Sequence, residues 1–289
     1  MLLKVSCILK EMTELGKLNT LRVLKEVDFG IYLDGPPFGE VLMPRRYVPK
    51  NAKPGDELEV FIYLDSEDRP IATTEKPYAM AGEFALLKVN GTNAIGAFLD
   101  WGLPKDLLVP FREQKQKLEV GQSCVVYIYV DRETNRIVAS AKPEKFLDRL
   151  PIDFEEGQEV DLMIIKQTDL GFKAIINTTH TGMLYKSEVF QTLENGSQMK
   201  GYIRKIRPDK KIDLILHKPG YEKVDDISTV ILDKVKSEGG YIAVTDKSSP
   251  ELIHSLFQIS KKTYKKAVGG LYRSKLIVIE EDGIRLCTP

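Results

Sequence analysis

The 289-residue chain has little of what most enzymes, secreted domains and membrane proteins depend on. It has three cysteines, Cys7, Cys124 and Cys287, scattered along its length. That excludes a disulfide framework and fits a reducing cytoplasm. Its apolar runs are strand-sized, short of the ~20 residues a membrane helix needs. It has one tryptophan and three histidines, His180, His217 and His254, in unrelated contexts and without carboxylate or cysteine partners at metal-ligand spacing. We find no GxxxxGK[ST] loop, GxSxG elbow or HExxH helix. No enzymatic activity and no cofactor or metal is expected. Charge of one sign is missing too: Lys+Arg 42 against Asp+Glu 42 gives zero net charge, which excludes a uniformly basic coat or an acidic tail.

What the chain does have is repetition. Three stretches close alike, IATTEKP (71–77), IVASAKP (137–143) and IDLILHKP (212–219). Each follows a glycine, an alternating apolar strand and a charged turn. Upstream of each stands DFGIYLD (28–34), AIGAFLD (94–100) or DLGFKAII (169–176), then GEVLMPRRYV (39–48), DLLVPFREQ (106–114) or GMLYKSEVF (182–190). From the glycine of the second element to the closing proline the spacing is 47, 47 and 48 residues. Each copy reads as five short strands, the size of an OB-type barrel. Within 57–64, Leu58, Val60, Ile62 and Leu64 are expected on the buried face.

The C-terminal part changes period. Ile227, Val230, Ile231, Lys234 and Val235 have helical spacing, and Gly239-Gly240 ends that helix. A strand is expected at 241–246. Ser249 and Ser260 read as N-caps of two further helices, the second spanning 261–272. An Asp282-Gly283 turn joins two final strands. Helix, strand, helix, helix, hairpin is the order of a winged helix. The fold class is therefore mainly β: three tandem five-stranded OB-fold barrels followed by a small α+β winged-helix domain. The divisions are 1–15 (N-terminal extension), 16–78, 79–150, 151–220 and 221–289.

The aromatic–Gly–small–aromatic second strand and the Gly-apolar third strand resemble the S1 RNA-binding domain. With the KPGYEKVD ending and the SKKTYKKAVGGLYR run, the arrangement resembles the conserved virulence factor B (CvfB-like) family of bacterial RNA-binding proteins. The resemblance implies single-stranded RNA as partner, possible further RNA-associated proteins, and a cytoplasmic role in post-transcriptional control. A DNA-binding regulator led by the winged helix and a protein-interaction scaffold are the rival readings.

S1-type modules stack bases on outward aromatics of the second and third strands. Ile31 and Leu33 read as inward, which turns Tyr32 out, and its neighbour Phe29 can face out beside it. Phe98 takes the Tyr32 position in the second copy and Lys173 in the third, where Phe172 reads as core. On the third strand Tyr185 stands where the first copies place Met43 and Val109. Charge adds two runs. Residues 199–223 carry +5 and include Lys200, Arg204, Lys205, Arg207, Lys210 and Lys211. Residues 261–275 carry +6, from Lys261, Lys262, Lys265, Lys266, Arg273 and Lys275. Phosphate binding needs local, not net, positive charge. These twelve residues with Lys173 and Tyr185 form the expected RNA site, and Phe29, Tyr32 and Phe98 a secondary one.

Overall fold

The computed structural model describes residues 12–189, 192–216 and 224–287. The first barrel comprises β1 (Leu18–Val27), β2 (Gly30–Asp34), β3 (Glu40–Pro44), β4 (Glu57–Leu64) and β5 (Pro70–Thr73). They close in the order β1-β2-β3-β5-β4, with β4 returning to β1. The second holds β6 (Phe84–Thr92), β7 (Gly96–Asp100), β8 (Leu107–Pro110), β9 (Ser123–Val130) and β10 (Ile137–Ser140). Its order is β10-β9-β6-β7-β8, with β8 and β10 adjacent but joined by no ladder. The third, β11 (Glu159–Gln167), β12 (Gly171–Ile176), β13 (His180–Tyr185), β14 (Gln198–Ile206) and β15 (Ile212–Ile215), closes like the first.

The repeat has a steric cause. Gly30, Gly96 and Gly171 face the next strand so closely that a Cβ would lie 2.1 Å from Met43 O, 2.2 Å from Val109 O and 1.9 Å from Leu184 O. No other residue fits there. The first strand of every barrel carries a register shift, between Val23 and Lys25, Val89 and Gly91, and Ile164 and Lys166. The extra residues, Leu24, Asn90 and Ile165, stand six before each of those glycines. A bulge increases local twist and helps a short sheet curl shut. The turn between the fourth and fifth strands holds a left-handed residue in each copy, Asp68, Asn135 or Lys210, with φ of 61°, 54° and 61°.

Alternation in β4 breaks as the barrels join. Val60 and Ile62 fill the first core, but Phe61 and Tyr63, on the outward parity, are buried as well. They pack against the second barrel, where Phe61 meets the Trp101 ring edge-on at 5.7 Å. A second shared cluster, Phe84, Val125, Leu147, Ile165 and Ile175, joins the second barrel to the third. The outward faces of these strands are interfaces, not solvent.

The C-terminal domain comprises α1 (Val224–Ser237), β16 (Tyr241–Ile242), α2 (Pro250–Phe257), α3 (Lys261–Arg273), β17 (Ile277–Ile279) and β18 (Ile284–Leu286). The strand expected at 241–246 is thus only two residues long. Val244 beyond it instead offers its carbonyl to the Tyr264 hydroxyl at 3.0 Å. Ser249 and Ser260 cap their helices, accepting from Leu252 N and Thr263 N, each at 3.2 Å. The core is Ile227, Ile231, Val235, Ile253, Phe257, Tyr264, Val268 and Leu271, among others. Val230 is exposed, whereas Val268 is buried in the core. No helix among the described residues is long and apolar enough to cross a membrane.

Candidate nucleic-acid interface

Ile31 and Leu33 are buried in the first barrel, so β2 turns Tyr32 outward beside Phe29, which is 58% exposed. The two rings meet edge to face, 6.4 Å apart at 84°. The Lys25 ammonium lies 4.9 Å from the Tyr32 ring centre and pairs with Glu40 at 2.6 Å. Arg45 pairs with Glu26 at 2.6 Å, and its backbone N–H donates to Phe29 O at 2.8 Å, fixing the turn that presents Phe29. This is an aromatic platform with a cation at its edge, open to a flat ligand.

The equivalent faces downstream are partly taken up by neighbours. Phe98 on β7 is half-buried in a cleft between the first two barrels, with Ile95, Tyr63, Trp101, Lys105 and Arg136. The Trp101 indole N–H donates to Lys105 O at 2.6 Å, and Lys105 Nζ donates to Asp65 O of the first barrel at 2.6 Å. Burial lowers the Lys105 pKa, against the opposing pull of Asp68. In the third barrel Phe172 is core, as expected. Lys173 does not face open solvent. Its Nζ lies 3.5 Å from Glu144 of the second barrel, and its outward neighbour Ile175 is only 2% exposed.

The register of β13 corrects one alignment. Gly30 pairs with Pro44, Gly96 with Pro110 and Gly171 with Tyr185. Tyr185 is therefore the counterpart of Pro44 and Pro110, and Leu184 that of the buried Met43 and Val109. The Tyr185 hydroxyl accepts from Arg207 Nη2 at 2.5 Å and donates to Asp213 Oδ1 at 3.4 Å. The guanidinium sits 5.7 Å from the ring centre.

The basic run of the third barrel is largely neutralised where it stands. Lys200 pairs with Asp161 at 2.7 Å, Arg204 with Glu188 at 3.0 Å, Arg207 with Asp213 at 2.9 Å and Lys211 with Asp209 at 2.9 Å. The bond to Asp213 raises the Arg207 pKa, the bond to Asp161 raises Lys200, and the bond from Lys211 lowers Asp209. Lys205 and Lys210 are exposed with no ion pair among the described residues. Lys218 and Lys223 of this run, like His217, residues 1–11 and the KPGYEK stretch (218–223), lie outside the described residues.

Helix α3 is more open. Lys262 and Lys266, one turn apart on the same face, are exposed and unpaired among the described residues. Lys265 pairs with Asp246 at 3.2 Å, and Lys261 donates to Lys247 O at 3.4 Å. Arg273 Nε donates to Gly269 O at 3.2 Å, and Lys275 is exposed at a left-handed φ of 58°. Beneath them Tyr264 is wholly buried, and burial raises its hydroxyl pKa far above the usual range.

Three titratable groups lie away from these surfaces. His180 is buried and donates from Nε2 to Leu150 O at 3.0 Å. Glu113, also buried, accepts from Ser140 Oγ at 2.5 Å and from Lys145 Nζ at 2.8 Å. Burial raises the Cys124 thiol to about 11.

Five-stranded barrels in OB order and a helix–helix–wing unit define a multidomain protein of nucleic-acid-binding folds. Comparison with known proteins makes this specific. The S1 domain model matches residues 15–75 and 81–142, and the CvfB-like winged helix domain model matches 229–286. The chain therefore carries two matched S1 domains and a CvfB-like winged helix domain. It is 26% identical over 241 residues to conserved virulence factor B of Staphylococcus saprophyticus, covering 80% of each chain. It is 27% identical over 283 residues to the uncharacterized protein YitL of Bacillus subtilis, covering 93% of this chain and 92% of that one. A crystal structure of a multidomain protein with nucleic acid binding domains from Streptococcus pneumoniae covers 94% of the chain at 22% identity, with a TM-score of 0.43.

Proposed function

We propose that this chain binds single-stranded RNA and acts in the bacterial cytoplasm as a post-transcriptional regulator of gene expression, without catalysing a reaction. The observation that carries the reading is the open Phe29–Tyr32 pair with Lys25 at its edge. Stacked bases contribute about 1–3 kcal/mol each in such sites and need no duplex. The winged helix adds phosphate contacts through Lys262 and Lys266, with Lys261, Lys265, Arg273 and Lys275 around them. Among the described cations of 199–223, Lys205 and Lys210 are available without breaking an ion pair. Lys200, Arg204, Arg207 and Lys211 must exchange a carboxylate for a phosphate, and Tyr185 moves with Arg207. Lys173 and Phe98 lie at barrel junctions and join the site at its margins.

The barrel fold fits a strand as ligand. The test is titration of the full chain with single-stranded RNA, single-stranded DNA and duplex at several salt concentrations. Single-stranded RNA should bind tightest, with affinity falling as salt rises. Preference for duplex would favour a DNA regulator, and an absence of salt-dependent binding would favour a protein scaffold. Either result overturns the reading.

A further inference from the structure

The cleft between the first two barrels contains an ion pair that nothing in either core requires. Asp68 stands at the left-handed position of the β4–β5 turn. It reaches across to the second barrel, where its carboxylate accepts from Arg136 Nη2 and lies 3.9 Å from Lys105 Nζ. Arg136 and Lys105 flank the cleft whose wall is Phe98, Ile95 and Trp101. Its volume is about 780 Å³, open mouth included. The cations nearest Phe98 thus already hold a carboxylate, donated by the preceding module.

We propose that Asp68 is an affinity-determining residue: an internal phosphate mimic that occupies Arg136 and Lys105 and holds the second barrel's face in a low-affinity state until a strand's phosphate displaces it. The inference rests on the RNA-binding reading above. Carboxylate and phosphate compete for the same guanidinium and ammonium donors. Asp68 and Arg136 are both partly exposed, at 38% and 52% of their side-chain surface, so the lock can open in place. The barrels need not part, because Phe61, Tyr63 and Trp101 hold them together in one buried apolar cluster that the ion pair does not belong to. The adjoining Glu67 pairs only within its own turn, with Arg69 at 3.0 Å. Asp68 therefore reaches both cations of the second barrel, Lys105 being held also by the Asp65 carbonyl, and its neighbour Glu67, of the same charge, forms no ion pair with either among the described residues.

The experiment compares the full chain with Asp68→Asn and Glu67→Gln, each lacking one negative charge. Asparagine tolerates the left-handed turn. Binding of a fluorescein-labelled single-stranded oligoribonucleotide is followed by anisotropy, and Trp101, the single tryptophan, reports the cleft by its own fluorescence. Asp68→Asn should bind about two- to fivefold tighter, the range expected for releasing a surface ion pair. Glu67→Gln should change less. Adding Arg136→Gln to Asp68→Asn should abolish the gain, and the Trp101 response should saturate at lower RNA concentration in Asp68→Asn alone. If Asp68→Asn binds no tighter than Glu67→Gln, or more weakly, the inference is overturned while RNA binding stands. If no form binds the RNA, the functional reading itself fails, and this inference with it.

Discussion

Lys173 of the third barrel and Glu144 of the second stand 3.5 Å apart across the junction of their modules. Lys173 occupies the strand position that Tyr32 holds in the first barrel, where the half-buried Tyr32 ring has the exposed Phe29 beside it. One position in one repeated fold is thus an open surface in one copy and an adhesive in another. Under the proposed reading the first barrel therefore carries the main stacking platform.

Replacing Phe29 or Tyr32 by alanine should weaken single-stranded RNA binding by about 1–3 kcal/mol. Both rings lie outside the barrel core, so thermal unfolding should change little. The same substitution at Phe172 should lower stability, because that ring is core. Anisotropy titration paired with thermal melts separates the two effects.

Removing the charges of Lys262 and Lys266 together should flatten the dependence of log affinity on log salt, by about 0.7 for each phosphate that is no longer neutralised. The effect should be the same for strands of different sequence, since cations on phosphates read no bases. A change confined to one sequence would assign these lysines another role.

Gly96→Ala should destabilise the second barrel by about 2–3 kcal/mol, because its Cβ would meet Val109 O at 2.2 Å. Gly91→Ala is the control. A Cβ there meets nothing within 4 Å, and the change should stay within about 0.5 kcal/mol. Urea unfolding followed by Trp101 fluorescence reads both.

Acid should loosen the C-terminal edge of the second barrel through Glu113. Burial alone would raise this carboxyl, but bonds from Lys145 and Ser140 outweigh it and hold the pKa below the usual range. A depressed folded-state value means the stabilisation is complete above the ordinary glutamate pKa, about 4.3. It is lost as pH falls through the lower folded value. Glu113→Gln should make the urea midpoint less sensitive to pH in that window, and leave the wild type the more stable protein at neutral pH.

Much of this was legible in the chain itself. The 47-, 47- and 48-residue spacings are visible because each glycine is demanded by a carbonyl about 2 Å from where a Cβ would sit. The helix caps and the outward Tyr32 follow from local rules of spacing. What local rules cannot supply is what lies beyond an outward face. Alternation turns Tyr63 and Ile175 away from their own cores but does not say that another barrel covers them. Charge counted along residues 199–223 gives +5, yet Asp161 and Glu188, which neutralise Lys200 and Arg204, come from outside that run. The one-residue offset of Tyr185 hides for a related reason: strand pairing, not sequence similarity, defines which residues correspond.

The junctions that bury Phe61, Tyr63 and Ile175 also limit valency. Tandem modules gain avidity when each can grip the same strand independently, at an effective concentration set by a flexible linker. Here consecutive barrels share apolar clusters, and the second and third spend part of their faces on each other or on the first. Three copies of one module therefore act as fewer than three independent grips. Under the proposed reading a strand would meet a ruler with fixed marks, and selectivity would come from the distance between graspable nucleotides as much as from their identity.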